Sequence, residues 1–221
     1  MSGSDINFDV NGQPATGYLA LPSQPDAPGV LVLHAWWGLN PFFKHVCDRL
    51  AAEGFAVFAP DLNGGRVAQT VDEAKQIMSE LDEEWKYAIA RSSLGVLRNR
   101  SEVRNEAFSL IGFSMGAAYS LILAGEQPQD VRKVVLFYGS AGPDSPKISA
   151  GLLGHYAEVD EWEPADDIRK FENDMRSAGL TPAFHFYPNA RHWFFEEDRP
   201  EFNAEAAALA WTRTLEFLQA K

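Results

Sequence analysis

Ser114 stands at the centre of Gly112-Phe113-Ser114-Met115-Gly116, a G-x-S-x-G pentapeptide between an apolar run at residues 107–111 and an Ala- and Leu-rich helical pattern at 117–124. A serine becomes a nucleophile when a base takes its proton, and a sharp strand-to-helix bend exposes its hydroxyl to both base and substrate. The bend strains the backbone and leaves little room two residues to either side, which accounts for both glycines. The same geometry turns the Met115 amide toward the place where an oxyanion would form at the helix start. The chemistry this predicts is acyl transfer through a serine ester.

The base must be one of five histidines. His34 ends an apolar run, His45 falls in a helical pattern, His155 ends a strand pattern and His185 lies inside one whose alternation gives it a structural role. His192 instead follows the last strand pattern by the short loop Pro188-Asn189-Ala190-Arg191, at the strand end that α/β enzymes use for chemistry. An orienting acid is expected between serine and histidine in chain order. Asp160, four residues beyond Tyr156 and ahead of Trp162-Glu163-Pro164, fits that place and Glu158 is its rival. Asp166 and Asp167 are better explained as acids in the first turn of the next helix.

These residues need a frame of strands laid beside helices, and hydrophobic periodicity alternates between two and about 3.6 along the chain. Residues 6–10 and 15–21 flank Asn11-Gly12 as a hairpin. Residues 30–33 and 55–59 read as buried strands on either side of a helix opened by Asn40-Pro41, carried by Val46 and Leu50 and broken at Gly54. Helix, continuous or interrupted, is expected from 71 to about 100, with Asp82-Glu83-Glu84 on a solvated face. Further strands fall at 107–111, 131–138, 152–156 and 183–187. A terminal helix is expected with Phe202, Ala206, Leu209, Leu215 and Leu218 on its apolar side.

With 221 residues, 46% of them hydrophobic, the chain fits one large α/β domain spanning 1–221. Its formal charge of −12 argues against nucleic acid or an anionic membrane as a partner. No stretch approaches the roughly 18 apolar residues of a membrane span and no export signal opens the chain, so a soluble, cytoplasmic protein is expected, a monomer or small homo-oligomer. The single cysteine, Cys47, offers no disulfide and no thiolate metal cluster, and its helical spacing suits a buried position.

Taken together, these motifs resemble the dienelactone hydrolases of the α/β-hydrolase superfamily across nearly the whole chain. The nucleophile elbow is matched by Gly112–Gly116, and the acid loop by Gly154-His155-Tyr156-Ala157-Glu158-Val159-Asp160 running to Pro164. The histidine turn is matched by residues 187–194, and the first loop by His34-Ala35-Trp36-Trp37-Gly38-Leu39-Asn40, followed by Ala59-Pro60-Asp61-Leu62. The resemblance implies an α/β-hydrolase fold, a mostly parallel central sheet with helices on both faces. It implies Ser114, Asp160 and His192 as a catalytic triad, with the Trp36 amide joining that of Met115 at the oxyanion. No metal or organic cofactor is implied.

Two departures bear on substrate. The best-known members carry a cysteine nucleophile and a glutamate in the loop after the first buried strand, where this chain has Ser114 and Ala35. A serine has no thiolate to manage, so the two changes are consistent. The family's lactone-binding arginine beyond the histidine corresponds to Glu196, a carboxylate of the wrong charge for an anionic lactone. Arg66 and Arg191 are the remaining arginines that could meet a substrate near these loops. Trp37, Tyr156, Trp193 and Phe194, with Trp36, are expected to line an apolar pocket for a small neutral ester or lactone. Cleavage of an amide, thioester or carbon-carbon bond, or a noncatalytic binding scaffold, are the alternatives.

Overall fold

The computed structural model describes residues 3–140 and 148–220. The chain forms two compact units, Met1–Leu110 and Ile111–Lys221.

The first unit opens with the hairpin of β1 (Ser4–Val10) and β2 (Gln13–Ala20). Asn11 and Gly12 both take positive φ, 55° and 83°, as a two-residue hairpin turn demands. β2 runs antiparallel to β4 (Ala56–Pro60), and β4 runs parallel to β3 (Gly29–Leu33). Every residue of β3 and β4 is buried, which explains their unbroken apolar runs. Between them α1 (Pro41–Ala52) starts where the Phe43 amide donates to Asn40 Oδ1, with Pro41 at a position whose missing N–H costs nothing. Cys47 lies on its buried side with Phe43, Val46 and Leu50, and burial pushes its thiol well above the usual range.

The long helical pattern is two helices, α2 (Val71–Glu80) and α3 (Glu83–Arg98), each with its own cap. Thr70 and Glu73 form a capping box for α2, and Asp82 accepts from the Glu84 amide to start α3. Asp82, Glu83 and Glu84 are exposed, and Glu83 also reaches the buried Lys86 ammonium at 2.7 Å.

β5 (Phe108–Phe113) runs across the unit boundary and leads into α4 (Met115–Glu126). In the second unit β6 (Val131–Phe137), β7 (Gly151–Ala157) and β8 (Ala183–Tyr187) are parallel, with Phe137, His155 and His185 in register. α4 packs on β6, while α5 (Ala165–Ser177) and α6 (Ala204–Gln219) pack on β7. The α/β class expected from periodicity is therefore found: a mixed, mostly parallel sheet flanked by helices.

α6 corrects one expectation. Phe202 precedes the Asn203 cap and is 37% exposed, and Leu209 is 44% exposed. The buried side is Ala206, Ala207, Ala210, Thr214 and Leu218. Positions 206, 210, 214 and 218 repeat every fourth residue and form one stripe. Small side chains there let the helix lie close on β7, and the larger Leu209 is turned away from it. Among the described residues no helix is long and apolar enough to cross a membrane.

Candidate active site

β5 delivers Ser114 at a bend with φ 50° and ψ −112°, a conformation that costs a non-glycine residue about 1–3 kcal/mol. The bend is held from outside, because the Ser114 amide donates to the Phe137 carbonyl at the end of β6 (2.9 Å). A side chain at Gly112 would collide with the Gly116 carbonyl and come within 2.6 Å of the Ala117 Cα. One at Gly139 would lie 2.6 Å from the Ser114 carbonyl. Sequence reasoning misses Gly139, although its place just past a strand end signals such close approach. Ser114 occupies the N-cap position of α4 without capping it, so its hydroxyl is available elsewhere. The Met115 amide lies in the first turn, at the positive end of that helix.

The Ser114 hydroxyl meets His192 Nε2 at 3.0 Å, and His192 Nδ1 meets Asp160 Oδ2 at 2.8 Å. The His192 and Asp160 side chains are 5% and 1% exposed. The second oxygen of Asp160 accepts the amides of Trp162 (2.8 Å) and Glu163 (2.9 Å), which fixes the carboxylate in its loop. Glu158 is exposed and makes no contact of this kind; its amide donates to the Tyr187 carbonyl. That bond, with the Val159 amide donating to the Ala190 carbonyl, ties the acid loop to the histidine loop.

The buried histidines have other work. His34 Nδ1 bonds the Ala35 carbonyl while Nε2 accepts the Leu62 amide, and His155 is held between the Tyr187 and Thr214 hydroxyls. Burial pushes both imidazoles below their usual pKa, favouring the neutral ring. Among the described residues no three His, Cys, Asp or Glu side chains are grouped so as to hold a metal ion.

The aromatic residues divide. A cavity of about 60 Å³ beside His192 is lined by Val159, Trp162, Arg191, Trp193 and Glu201. Trp193 lines this cavity, and Trp162, which sequence reading leaves among the residues before a helix, joins it. Tyr156 and Phe194 are core residues instead. Tyr156 donates to the Gly139 carbonyl and packs on Phe184 and Phe186, and Phe194 packs between Tyr138 and Tyr187. β7 is buried from Leu152 to Ala157, which leaves Tyr156 no route to a substrate. In the first unit Trp37 is buried against Trp36, whose carbonyl accepts from the Asn63 side chain (2.9 Å). Arg66 pairs there with Glu80 at 2.8 Å.

Glu196 departs most from expectation. It presents no carboxylate at the surface: it is completely buried, and the Tyr138 hydroxyl donates to its Oε1 at 2.8 Å. Loss of solvation pushes its pKa up to about 8. Asp198 and Glu201 push the same way, while the Tyr138 bond and Arg199 oppose them. The carboxyl is therefore mostly uncharged at neutral pH.

Its folded pKa lies above the ordinary carboxylate value of 4.5, so the folded state holds this proton more tightly than the unfolded chain. The stability contribution is complete below pH 4.5 and is lost as pH rises through 8. Glu196→Gln keeps an acceptor for Tyr138 but cannot ionise. Relative to that variant, the wild type should lose on the order of 4 kcal/mol of unfolding free energy between about pH 5 and 9. Urea unfolding of both proteins across that range measures the difference, and parallel stability curves would refute it.

An elbow serine, a histidine after the last strand and an acid after the strand before it are the marks of an α/β hydrolase. The chain belongs to the dienelactone hydrolase family, whose profile matches residues 15–221. It is 30% identical to Protein usf of Aquifex pyrophilus over 98% of both chains. Among solved structures, it superposes on a dienelactone hydrolase-like promiscuous phosphotriesterase from metagenomic libraries with a TM-score of 0.85, at 22% identity over 98% of this chain and 96% of that one. The dienelactone hydrolase of Anabaena variabilis matches with a TM-score of 0.72 and 20% identity, over 98% and 97% of the two chains. The two structural likenesses establish the fold. Family membership makes the chain hydrolase-like, of the kind that acts on small esters or lactones.

Proposed function

We propose that this protein is a serine hydrolase that cleaves a small, neutral carboxylic ester or lactone through an acyl-enzyme intermediate. The observation that carries the reading is the continuous chain of contacts from the Ser114 hydroxyl through His192 to Asp160, at 3.0 and 2.8 Å. His192 Nε2 takes the proton of Ser114 as the oxygen attacks the ester carbonyl, and Asp160 accepts from Nδ1–H, keeping the tautomer in which Nε2 is basic. The Met115 amide donates to the tetrahedral oxyanion. Collapse of that intermediate breaks the bond to the alcohol oxygen, which leaves with the proton from His192. Water then attacks the acyl-serine by the same route, releasing the acid and restoring Ser114.

The preference for a neutral substrate rests on the missing arginine at position 196. The buried Glu196 repels an anion less than an exposed carboxylate would, but it supplies no cation to hold one. A charge-assisted bond of this kind contributes about 1.5–3 kcal/mol, so its absence should lower kcat/KM for the anionic dienelactone roughly tenfold or more and leave a neutral ester the better substrate; Arg191, which lines the cavity beside His192, is the cation that a dienelactone preference would implicate. Labelling with a fluorophosphonate tests the serine, with the adduct expected on Ser114. An adduct elsewhere in active protein removes the assignment, and a preference for dienelactone removes the substrate reading.

A further inference from the structure

Tyr138 follows β6 in a position no side chain adopts cheaply. Its φ is 38°, in the left-handed region that disfavours a bulky residue, and it is completely buried. Its ring centre lies 5.0 Å from that of His192, tilted by 57°. Its hydroxyl donates to Glu196 Oε1, and among the described residues the other oxygen of Glu196 has no hydrogen-bond partner, so this bond is the carboxyl's hydrogen-bond anchor. Glu196 lies four residues beyond His192 in a run of tight turns, the Phe194 amide donating to Arg191 and the Glu196 amide to Trp193. The backbone of Tyr138 is tied as well, its amide donating to the His155 carbonyl (2.8 Å), while the adjacent Phe137 carbonyl takes the Ser114 amide. One residue thus touches the base, is bound to the loop that carries the base, and directly follows the residue that holds the nucleophile's backbone.

We propose that Tyr138 is a positioning residue for His192 and that Glu196, through the Tyr138 hydroxyl, braces the histidine loop. The inference rests on the hydrolase reading above. Asp160 fixes the imidazole at one nitrogen and Trp193 packs edge-on to the ring, their centres 4.9 Å apart, which leaves the swing about the Asp160 bond to be limited from the Tyr138 side. The Tyr138 face limits the swing, so Nε2 stays aimed at Ser114. A brace of this sort acts on turnover, with little effect on ground-state binding.

Tyr138→Phe removes one oxygen and keeps the ring. It should lower kcat about tenfold with KM within about twofold, and Glu196→Leu should do the same. Glu196→Gln, which preserves the acceptor, should keep kcat within about threefold of wild type, and the Tyr138→Phe/Glu196→Leu pair should be no worse than either single change. The low-field proton resonance of His192 Nδ1, read in a Ser114→Ala background where turnover plays no part, should broaden or shift when Tyr138→Phe is added. An unchanged resonance together with kcat within about twofold would overturn the proposal. If Tyr138→Phe fails to fold, the comparison of Glu196→Gln with Glu196→Leu decides the same question. Persistent activity in Ser114→Ala alone would overturn the hydrolase reading, and the resonance would still report on the brace.

Discussion

Ser114→Ala is expected to lower kcat/KM for a short acyl ester by about 10³-fold or more. The variant removes only the oxygen that lies 3.0 Å from His192. Alanine accepts the strained bend as well or as badly as serine does, and the Ser114 amide bond to Phe137 belongs to the backbone. Melting temperature and near-ultraviolet circular dichroism should therefore match wild type. The residual rate measures what the helix-end amide and substrate binding achieve without a nucleophile. A drop of less than about tenfold in a folded variant would show that another group attacks the carbonyl.

Asp160→Asn should cost on the order of 10³–10⁴ in kcat, since an amide facing His192 favours the tautomer whose Nε2 carries the proton. The Trp162 and Glu163 amides still find an acceptor in the one side-chain oxygen that this substitution keeps, so the loop holds its conformation and the loss falls on chemistry. Glu158→Gln should leave kcat within about twofold, because Glu158 is exposed and its own tie to the histidine loop is made by its amide. Steady-state kinetics on the pair settles which carboxylate serves the base. Near-normal turnover in Asp160→Asn with collapse in Glu158→Gln would reverse the assignment.

Elements whose stability is local are legible in the sequence. Asn11-Gly12 marks a tight turn, Asn40-Pro41 opens a helix, and the apolar runs at 30–33 and 55–59 match strands buried on both faces. Ser114 and His192 are legible because the elbow and the post-strand turn are written in adjacent residues. Choosing between Asp160 and Glu158 needs more, since two residues of spacing do not reveal which side chain turns inward. Glu196 is misread from sequence because a charge at a given chain position says nothing of its depth. Its buried hydrogen-bond partner, Tyr138, lies 58 positions away. Tyr156 and Phe194 are misplaced for a related reason: aromatics next to a catalytic loop are as useful for packing the loop's underside as for lining its mouth. In α6, alanines set the packed side because closeness matters more there than side-chain size.

The ties between the acid and histidine loops have a consequence for how such a protein diversifies. Glu158 donates to Tyr187 and Val159 to Ala190, extending the pairing of β7 and β8 beyond the point where both strands end. The spacing of Asp160 and His192 is thus inherited from the parallel ladder itself, with Asp160 clamped by amides only as far along as Glu163. Everything from Pro164 through α5 to the start of β8 lies outside that clamp. Replacing the exposed side chains of this stretch, while keeping the Ile168, Phe171 and Met175 that α5 buries, should therefore remodel the outer face of α5 and leave the 2.8 Å contact between Asp160 and His192 unchanged.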